Sequence, residues 1–178
     1  MKQALCAAFA SLLLALSACA DEQPVAVAAP IMVDLGAVVE TGNVVAVDGV
    51  SAAGQPDEAA FQVFAESGYA AVIDLRAENE DRGLDEAAVV ADLGMDYVSM
   101  PIANAAEVNV ENALKLEALI ASYDGPVLVH CASSNRVGAL LAIADYESHG
   151  DRDKALAKGM SAGMKGLEGR VKEVLDSE

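Results

Sequence analysis

Short apolar runs alternate with segments of helical periodicity along most of this chain. Residues 70–73 and 127–129 are apolar at every position, which is typical of strands buried on both faces of a parallel sheet. Residues 110–123 instead carry apolar side chains at i, i+3, i+4 and i+7, counted from Leu116, which is the spacing of one helix face. Strands that alternate with helices predict an α/β fold with a central, mainly parallel sheet flanked by helices.

Capping and breaking residues predict where these elements begin and end. Asp57 is a typical N-cap, and Gly68 and Gly94 are placed to end helices. In a sheet of this kind, a ligand site is expected beyond the carboxyl ends of the strands. The predicted elements are strands over residues 43–48, 70–75, 97–100 and 127–129, helices over 57–67, 84–93, 110–123, 137–146, 151–160 and 164–175, and a turn at Gly54-Gln55-Pro56.

The first residues predict a signal peptide of the bacterial lipoprotein type, residues 1–18. Lys2 supplies a positive start, and residues 4–16 form a mainly apolar core that is too short to span a bilayer comfortably. The segment Leu16-Ser17-Ala18-Cys19 resembles a lipobox, in which cleavage leaves a lipidated Cys19; an ordinary cleavage site is the alternative. We expect a protein of the bacterial cell envelope that faces the periplasm and touches the membrane only through this lipid.

The rest of the chain divides into a tether and one domain. Residues 19–42 are rich in Ala and Val and show no sustained period, so they predict a tether with at most a short strand. Residues 43–178 have the length of one catalytic domain with a single core. Their sequence does not predict an oligomeric state.

The charge of the chain limits its partners. The formal net charge is −17, and removal of the leader with its single Lys2 makes it one unit more negative. A surface of this sign argues against nucleic acid and against electrostatic binding to anionic lipid. A small anionic or phosphorylated substrate must therefore be held by local donors. The acidic stretches near Glu78 and Asp151 predict solvated faces.

Cysteine usage points to one reactive thiol. Of the three cysteines, Cys6 lies in the leader and Cys19 is the expected lipid anchor, so Cys131 has no partner for a disulfide. In an oxidising compartment such a cysteine does not serve as a covalent staple. The alternative is a small buried apolar side chain, which is a common role of free cysteine.

The segment from His130 to Arg136 carries the candidate chemistry. It joins an apolar strand to a helix, so its backbone N–H groups and the helix dipole form a cradle for an anion and favour a thiolate at Cys131. Arg136 can bind an oxyanion through two parallel hydrogen bonds. We expect His130 to hold the loop through its backbone, and two histidines in all make a zinc site unexpected. The predicted cradle residues are Ala132, Ser133, Ser134 and Asn135, and no metal or other cofactor is predicted.

Three segments together resemble a known family. They are Gly54-Gln55-Pro56, then Asp74-Leu75-Arg76 followed by Glu78 or Glu80, and then the His-Cys loop that closes on Arg136. They resemble the phosphatase-like domain of beta-lactamase-hydrolase-like proteins, which is similar to dual-specificity, cysteine-dependent protein phosphatases. The resemblance extends over residues 43–175. It implies a cysteine-phosphatase-like fold in which Cys131 is the nucleophile and Arg136 is the phosphate clamp.

The sequence departs from typical cysteine phosphatases at three points. Four residues rather than five separate Cys131 from Arg136, which is closer to the short loops of rhodanese-type sulfurtransferases. Val137 stands where Ser or Thr would stabilise the departing thiolate; Ser133 or Ser134 either replaces that hydroxyl or only satisfies the loop backbone. Residues 101–107 contain no Asp to act as general acid.

Two charged residues near these segments keep alternative roles. Glu107 is either a substitute general acid or a solvated loop charge. Arg76 either adds positive potential at the site or pairs with Glu78 or Glu80.

Three functions remain open from the sequence. A phosphatase-like hydrolase working through a cysteinyl intermediate ranks first because of the family resemblance and the leading His130. A rhodanese-like sulfurtransferase that forms a persulfide on Cys131 ranks second because it needs no general acid. A non-enzymatic anion-binding module ranks last because both Cys131 and Arg136 are present.

Overall fold

The computed structural model describes residues 31–42 and 50–177, and a five-stranded sheet forms the centre of this part of the chain. All strand pairs are parallel, in the order β1-β2-β5-β3-β4. Strand β5 is therefore central and pairs on both sides. The strands are β1 (Ile31–Met32), β2 (Val50–Ala53), β3 (Ala71–Asp74), β4 (Asp96–Ser99) and β5 (Val127–His130).

Side-chain caps fix the starts of most helices. Asp57, Asp85, Asn109 and Asp151 each accept a hydrogen bond from a backbone N–H in the first turn of the helix that follows. No helix in the described residues is both long and apolar enough to cross a bilayer. The helices are α1 (Leu35–Thr41), α2 (Glu58–Glu66), α3 (Glu86–Asp92), α4 (Val110–Ala121), α5 (Asn135–His149), α6 (Arg152–Ser161) and α7 (Glu168–Asp176), with a 3₁₀ turn at Ala105–Glu107.

Helices cover both faces of the sheet. Val127 and Val129 of β5 pack in one apolar cluster with α4, α5, α6 and α7, whereas Leu128 packs in the other with α1, α2 and α3. Helix α5 is buried along its first half, and Gly138 lets α6 approach closely, since a Cβ there would lie 2.3 Å from a backbone oxygen of Gly159. The predicted α/β fold with a mainly parallel sheet between helices is confirmed.

Residues 31–42, the end of the segment predicted as a tether with at most a short strand, form β1 and α1. Ile31 of β1 pairs with Ser51 on the open edge of β2, and Val38 of α1 is buried. Two elements this short leave no sustained period in the sequence, so edge pairing and burial decide their structure. Residues 1–30, with the signal peptide and Cys19, and the predicted strand 43–48 lie outside the described residues.

The register of the sheet brings the functional loops together. Ala53, His130 and Asp74 are aligned across β2, β5 and β3, and Asp74 is aligned with Ser99 of β4. All four residues end their strands. The loops that follow them therefore meet at one edge of the sheet, where the sequence predicted the site.

Candidate active site

Cys131 is the first residue after β5 and precedes α5 by four residues. Its backbone N–H donates to the carbonyl of Ala53, and its thiol is free and buried, with 1% of the residue exposed. Helix α5 begins at Asn135, two residues earlier than predicted, so Asn135 and Arg136 lie in its first turn. Their backbone N–H groups have no acceptor within the helix, and no other described residue accepts from them. The predicted order of strand, loop and helix around Cys131 is confirmed, with the helix beginning at Asn135 instead of Val137.

The two serines of the loop differ in their surroundings. Ser134 adopts a left-handed backbone conformation with φ 62°, and its buried hydroxyl donates to the carbonyl of Ala162 over 2.8 Å. Ser133 is exposed, and a backbone bridge links it to Gly54. The Ser134 hydroxyl thus joins the loop to the end of α6 and does not bond to the backbone of the loop itself.

The remaining loop residues complete the wall of the site. Ala132 is exposed, and its carbonyl lies near Gly54, where an added Cβ would be 3.3 Å from that oxygen. Oδ1 of Asn135 accepts from the backbone N–H of Lys165 at 2.8 Å and of Leu167 at 3.4 Å. The Asn135 side chain therefore fixes the segment between α6 and α7 against the nucleophile loop.

Arg136 is held by a carboxylate. Its Nη1 lies 2.6 Å from Oε1 of Glu80 and its Nη2 lies 2.8 Å from Oε2, which is a bidentate ion pair. Nη1 also donates to the carbonyls of Ile102 and Leu75. Glu80 takes the Nη1–Nη2 edge of the guanidinium, and no oxygen of a described residue accepts from Nε. The edge formed by Nε and Nη2 can therefore bind another oxyanion, and the Cys131 side chain lies within hydrogen-bond reach of the same guanidinium.

Electrostatics couple this guanidinium to its neighbours. The hydrogen bond from Arg136 lowers the pKa of Glu80 to about 2, against the opposing effect of burial. The same bond raises the pKa of Arg136; burial opposes this rise, and the nearby Cys131 adds to it. Glu80 is therefore a carboxylate and Arg136 a cation throughout the physiological range, and Cys131 lies within electrostatic reach of Arg136.

A second arginine shapes the turn that presents Glu80. Arg82 donates to the carbonyls of Arg76 at 3.1 Å and Glu80 at 3.0 Å, and its Nε donates to Oδ2 of Asp74 at 2.6 Å. The backbone N–H of Ala77 also donates to Oε1 of Glu80 at 2.8 Å. These bonds close the turn after β3 and direct the Glu80 carboxylate toward α5.

Arg76 lies behind Glu80. Its Nε donates to Oε2 of Glu80 at 3.3 Å, its Nη1 donates to Oε1 of Gln55, and its Nη2 donates to the carbonyl of Asp81 at 2.6 Å. Of the two roles predicted for Arg76, the contacts therefore agree with pairing to Glu80. Through Glu80, Arg76 supports Arg136.

His130 does not hold the loop backbone as predicted. Its ring is fully buried; Nε2 lies 2.6 Å from Oε1 of Glu86, and no described residue forms a hydrogen bond with Nδ1. Since the oxygen of Glu86 is the acceptor, Nε2 of His130 donates this hydrogen bond. Phe61 packs edge-on against the ring with centroids 6.2 Å apart. A carboxylate at the start of α3 therefore orients the residue before the nucleophile.

Asp74, Glu86 and His130 form a buried group whose ligand-type atoms lie within 4.8 Å of one another. Protein donors already satisfy its carboxylates. Asp74 accepts from Arg82 and from the hydroxyl of Tyr97 at 2.9 Å, and Glu86 accepts from Nε2 of Gln55 at 2.8 Å. The positive charge of Arg82 occupies the position of a cation beside Asp74, so the group is a hydrogen-bonded support for the loop and a poor fit for a metal ion.

A pocket of about 290 Å³ opens beside Arg136. Arg136, Asn135 and Glu80 supply polar groups to its wall, and its other lining residues come from the loop after β4 and from Leu167. Glu107 is not among the lining residues, because its carboxylate accepts from the backbone N–H of Ala103 at 2.6 Å and from Asn104 at 2.7 Å within its own turn. The contacts of Glu107 thus favour the loop-charge alternative over the general acid.

Comparison with known families identifies this arrangement. Residues 43–170 match the model of a family described as a DSP-PTPase phosphatase fused to NAD+ kinase. The chain belongs to this DSP-PTPase family. The match covers the sheet edge, the Cys131 loop and most of the helices.

Curated relatives agree with the family. The chain is 31% identical over 116 residues to a beta-lactamase hydrolase-like protein of Xylella fastidiosa, strain Temecula1 (ATCC 700964). The aligned region covers 62% of this chain and 27% of that relative, so the chain spans about a quarter of the relative's length. A protein of the same name from strain 9a5c shows the same identity. The family resemblance drawn from the sequence is confirmed.

Solved structures of this DSP-PTPase family's fold superpose on the chain. A candidate phosphatase from Neisseria meningitidis Z2491 gives a TM-score of 0.61 at 16% identity, covering 71% of this chain and 94% of its own. A DUF442 candidate phosphatase from Shewanella putrefaciens CN-32 gives 0.57 at 20% identity, covering 79% and 92%. TpbA of P. aeruginosa, solved as a cysteine-to-serine variant with phosphotyrosine, gives 0.52 at 18% identity, covering 71% and 78%. The cysteine-phosphatase-like fold is confirmed.

The sequence does not indicate the roles that Glu80, Glu86 and Gln55 have in this site. In the sequence, Glu80 stands out only within the family motif and as a partner of Arg76, and the acidic stretch near Glu78 predicts a solvated face. Glu86 carried no signal, because an acidic residue in the first turn of a helix is common at the surface. Gln55 was noted within a motif, but its side-chain partners could not be inferred from that motif.

Proposed function

We propose that this protein is a phosphatase in which the Cys131 thiolate is the nucleophile and Arg136 clamps the phosphoryl oxygens. The pairing of Arg136 with Glu80 carries the proposal. Because Glu80 binds one edge of the guanidinium, the parallel N–H groups of the Nε–Nη2 edge are left to bind two oxygens of a phosphoryl group. The substrate class is a small or peptide-borne phosphate ester.

The reaction follows from these positions. The thiolate attacks phosphorus, an S–P bond forms, the P–O bond to the leaving group breaks, and the leaving group departs with the bonding electrons. Arg136 and the free N–H groups at the start of α5 stabilise the charge on the equatorial oxygens. Water then attacks the phosphocysteine, releases inorganic phosphate and restores the thiolate.

The choice of leaving group follows from the carboxylates near the pocket. Glu80 stays ionised because Arg136 lowers its pKa to about 2, and Glu107 is bonded within its own turn. Without a general acid, the leaving group receives no proton as the P–O bond breaks and must depart as an anion. We therefore expect aryl phosphates with acidic phenols to be hydrolysed far faster than alkyl phosphates, and Glu107→Gln to change the rate little.

Intact-protein mass spectrometry after rapid mixing with 4-nitrophenyl phosphate tests the proposal. We expect a phosphoryl adduct on Cys131, release of 4-nitrophenolate, and neither in the Cys131→Ser variant. Wild-type protein that gives no adduct and no 4-nitrophenolate would reject the phosphatase mechanism. A rate drop of about a hundredfold in Glu107→Gln would instead identify Glu107 as an acid.

Sulfur transfer is the second candidate, and the loop of four residues with no acid beside it favours it. In that reaction the thiolate attacks the outer sulfur of thiosulfate, the S–S bond breaks, sulfite leaves, and a persulfide forms on Cys131. A matched incubation with thiosulfate separates the two reactions: a one-sulfur adduct on Cys131 without a phosphoryl adduct supports sulfur transfer. If neither adduct forms, the anion-binding module is favoured.

We further propose that the protein is exported and held at the membrane by lipid on Cys19. The proposal rests on the lipobox-like Leu16-Ser17-Ala18-Cys19. Two acyl chains bury enough CH₂ groups for stable anchoring. Cys19→Ser should release soluble protein or leave an unprocessed precursor; normal cleavage with unchanged membrane fractionation would contradict lipidation.

A further inference from the structure

Hydrogen bonds outside the nucleophile loop join the two ends of that loop. At the thiol end, Nε2 of His130 lies 2.6 Å from Oε1 of Glu86. At the guanidinium end, both oxygens of Glu80 pair with Arg136. Glu86 and Glu80 belong to different segments, so a further group must connect them if the two ends are to be fixed relative to each other. That group lies in the loop after β2.

Gln55 makes this connection. Its Nε2 donates to Oε2 of Glu86 over 2.8 Å, and its Oε1 accepts from Nη1 of Arg76. Arg76 in turn donates to Glu80 over 3.3 Å. A donor faces an acceptor at every step of the resulting path, which runs His130, Glu86, Gln55, Arg76, Glu80, Arg136.

We propose that Gln55 and Glu86 are positioning residues that set the distance between the Cys131 thiol and the Arg136 guanidinium, an inference that rests on the proposed function. The amide of Gln55 suits its place because it offers a donor toward a carboxylate and an acceptor toward a guanidinium. A glutamate there would repel Glu86, and a lysine would repel Arg76.

Burial makes the path sensitive to the loss of any member. Glu86 is 2% exposed, and a buried carboxylate that loses one partner is heavily penalised and must move or take up a proton. Its movement would carry His130, which directly precedes Cys131. A misplacement of about 1 Å in a reacting group can lower a rate about a hundredfold.

The segment that bears Gln55 also touches the loop directly. Gly54 forms a backbone bridge with Ser133, and a Cβ on Gly54 would lie 3.3 Å from the carbonyl oxygen of Ala132. A displaced Gln55 side chain therefore acts on the nucleophile loop through its own backbone as well as through Glu86.

Two Gln→Met variants test the proposal. Gln55→Met keeps the length of the side chain and removes its hydrogen bonds to Glu86 and Arg76, together with one to the carbonyl of Pro56. Gln62→Met makes the same change at an exposed residue of α2 whose amide pairs with Glu66. The readouts are protection of Cys131 from iodoacetamide by inorganic phosphate, and kcat and KM for 4-nitrophenyl phosphate. The melting temperature is measured in parallel.

We expect Gln55→Met to raise the phosphate concentration that gives half-protection by about tenfold or more, and to lower kcat/KM by at least the same factor. Both quantities should keep their wild-type values in Gln62→Met. Glu86→Gln, which keeps the shape of its side chain, should weaken protection as well and decides the matter if Gln55→Met does not fold. Half-protection at the wild-type concentration in Gln55→Met and Glu86→Gln, or in whichever of the two folds, would overturn the proposal.

Failure of the proposed function gives a different result. Protection by phosphate needs no turnover. If phosphate protects the wild-type protein but no phosphocysteine forms, the phosphatase mechanism is rejected. The Gln55→Met comparison then still tests the positioning of Cys131 and Arg136. If phosphate does not protect Cys131 in the wild-type protein, both the anion clamp and the positioning proposal are rejected.

Discussion

Replacing Glu80 by Gln removes the charge that holds Arg136 while keeping the shape of the side chain. The wild-type pair has two charge-assisted hydrogen bonds, at 2.6 and 2.8 Å. Gln keeps one acceptor for Nη1 but presents an NH₂ group to Nη2, so one bond becomes a donor–donor contact. We expect the variant to fold with a lower free energy of unfolding.

The size of the loss follows from the ion pair and its exposure. The lowering of the Glu80 pKa from 4.5 to about 2 sets an upper limit of roughly 3 kcal/mol. Solvent reaches the pair, since 26% of the Glu80 side chain and 18% of the Arg136 side chain are exposed, and screening reduces that limit. We expect a loss of about 1–2 kcal/mol at pH 7, or about 2–8 °C in melting temperature.

The pH dependence has a definite sign. The pKa of Glu80 is lower in the folded protein, so its contribution to stability is present above the unfolded pKa of 4.5 and is lost as the pH falls toward 2. Gln does not titrate. The difference in stability between wild type and Glu80→Gln should therefore be full at pH 7 and shrink between pH 5 and 2.

Urea denaturation followed by circular dichroism at several pH values measures this difference. Glu78→Gln is the matched control, because Glu78 is an exposed residue of the same turn. Its stability should follow that of the wild type within about 0.5 kcal/mol. A Glu80→Gln variant as stable as Glu78→Gln at pH 7, or one whose deficit does not change with pH, would refute the reasoning.

Three other substitutions have expected outcomes. Arg136→Lys should lose nearly as much 4-nitrophenyl phosphatase activity as Arg136→Ala, since a lysine has no second parallel N–H; retention of most of the rate would contradict the clamp. Ser134→Gly should be about 1 kcal/mol more stable than Ser134→Ala in urea, because both lose the hydroxyl but only glycine relieves φ 62°; equal stabilities would contradict this strain. Gly138→Ala should lower stability by about 3 kcal/mol because its Cβ meets a backbone oxygen of α6, whereas Gly169→Ala, with open space around it, should lose nothing.

The sequence alone determined the elements whose signals are local. The apolar run 127–129 predicts a buried strand, and Asp57 starts its helix through a bond to a backbone N–H three residues away. Cys131 and Arg136 lie within one strand–loop–helix segment, so their roles could be predicted together from spacing and residue type. Such signals depend only on a few neighbouring residues, so they can be recognised without knowledge of the rest of the fold.

Tertiary structure alone decided what surrounds that segment. Glu80 is 56 residues from Arg136 and Glu86 is 44 residues from His130, and in the sequence both resemble ordinary surface charges. The register of the parallel sheet places the loops after β2, β3 and β5 at one edge. There Glu80 is partly buried and pairs with Arg136, and Glu86 is buried and pairs with His130. Because burial and pairing are set by contacts between distant segments, no local pattern carries them.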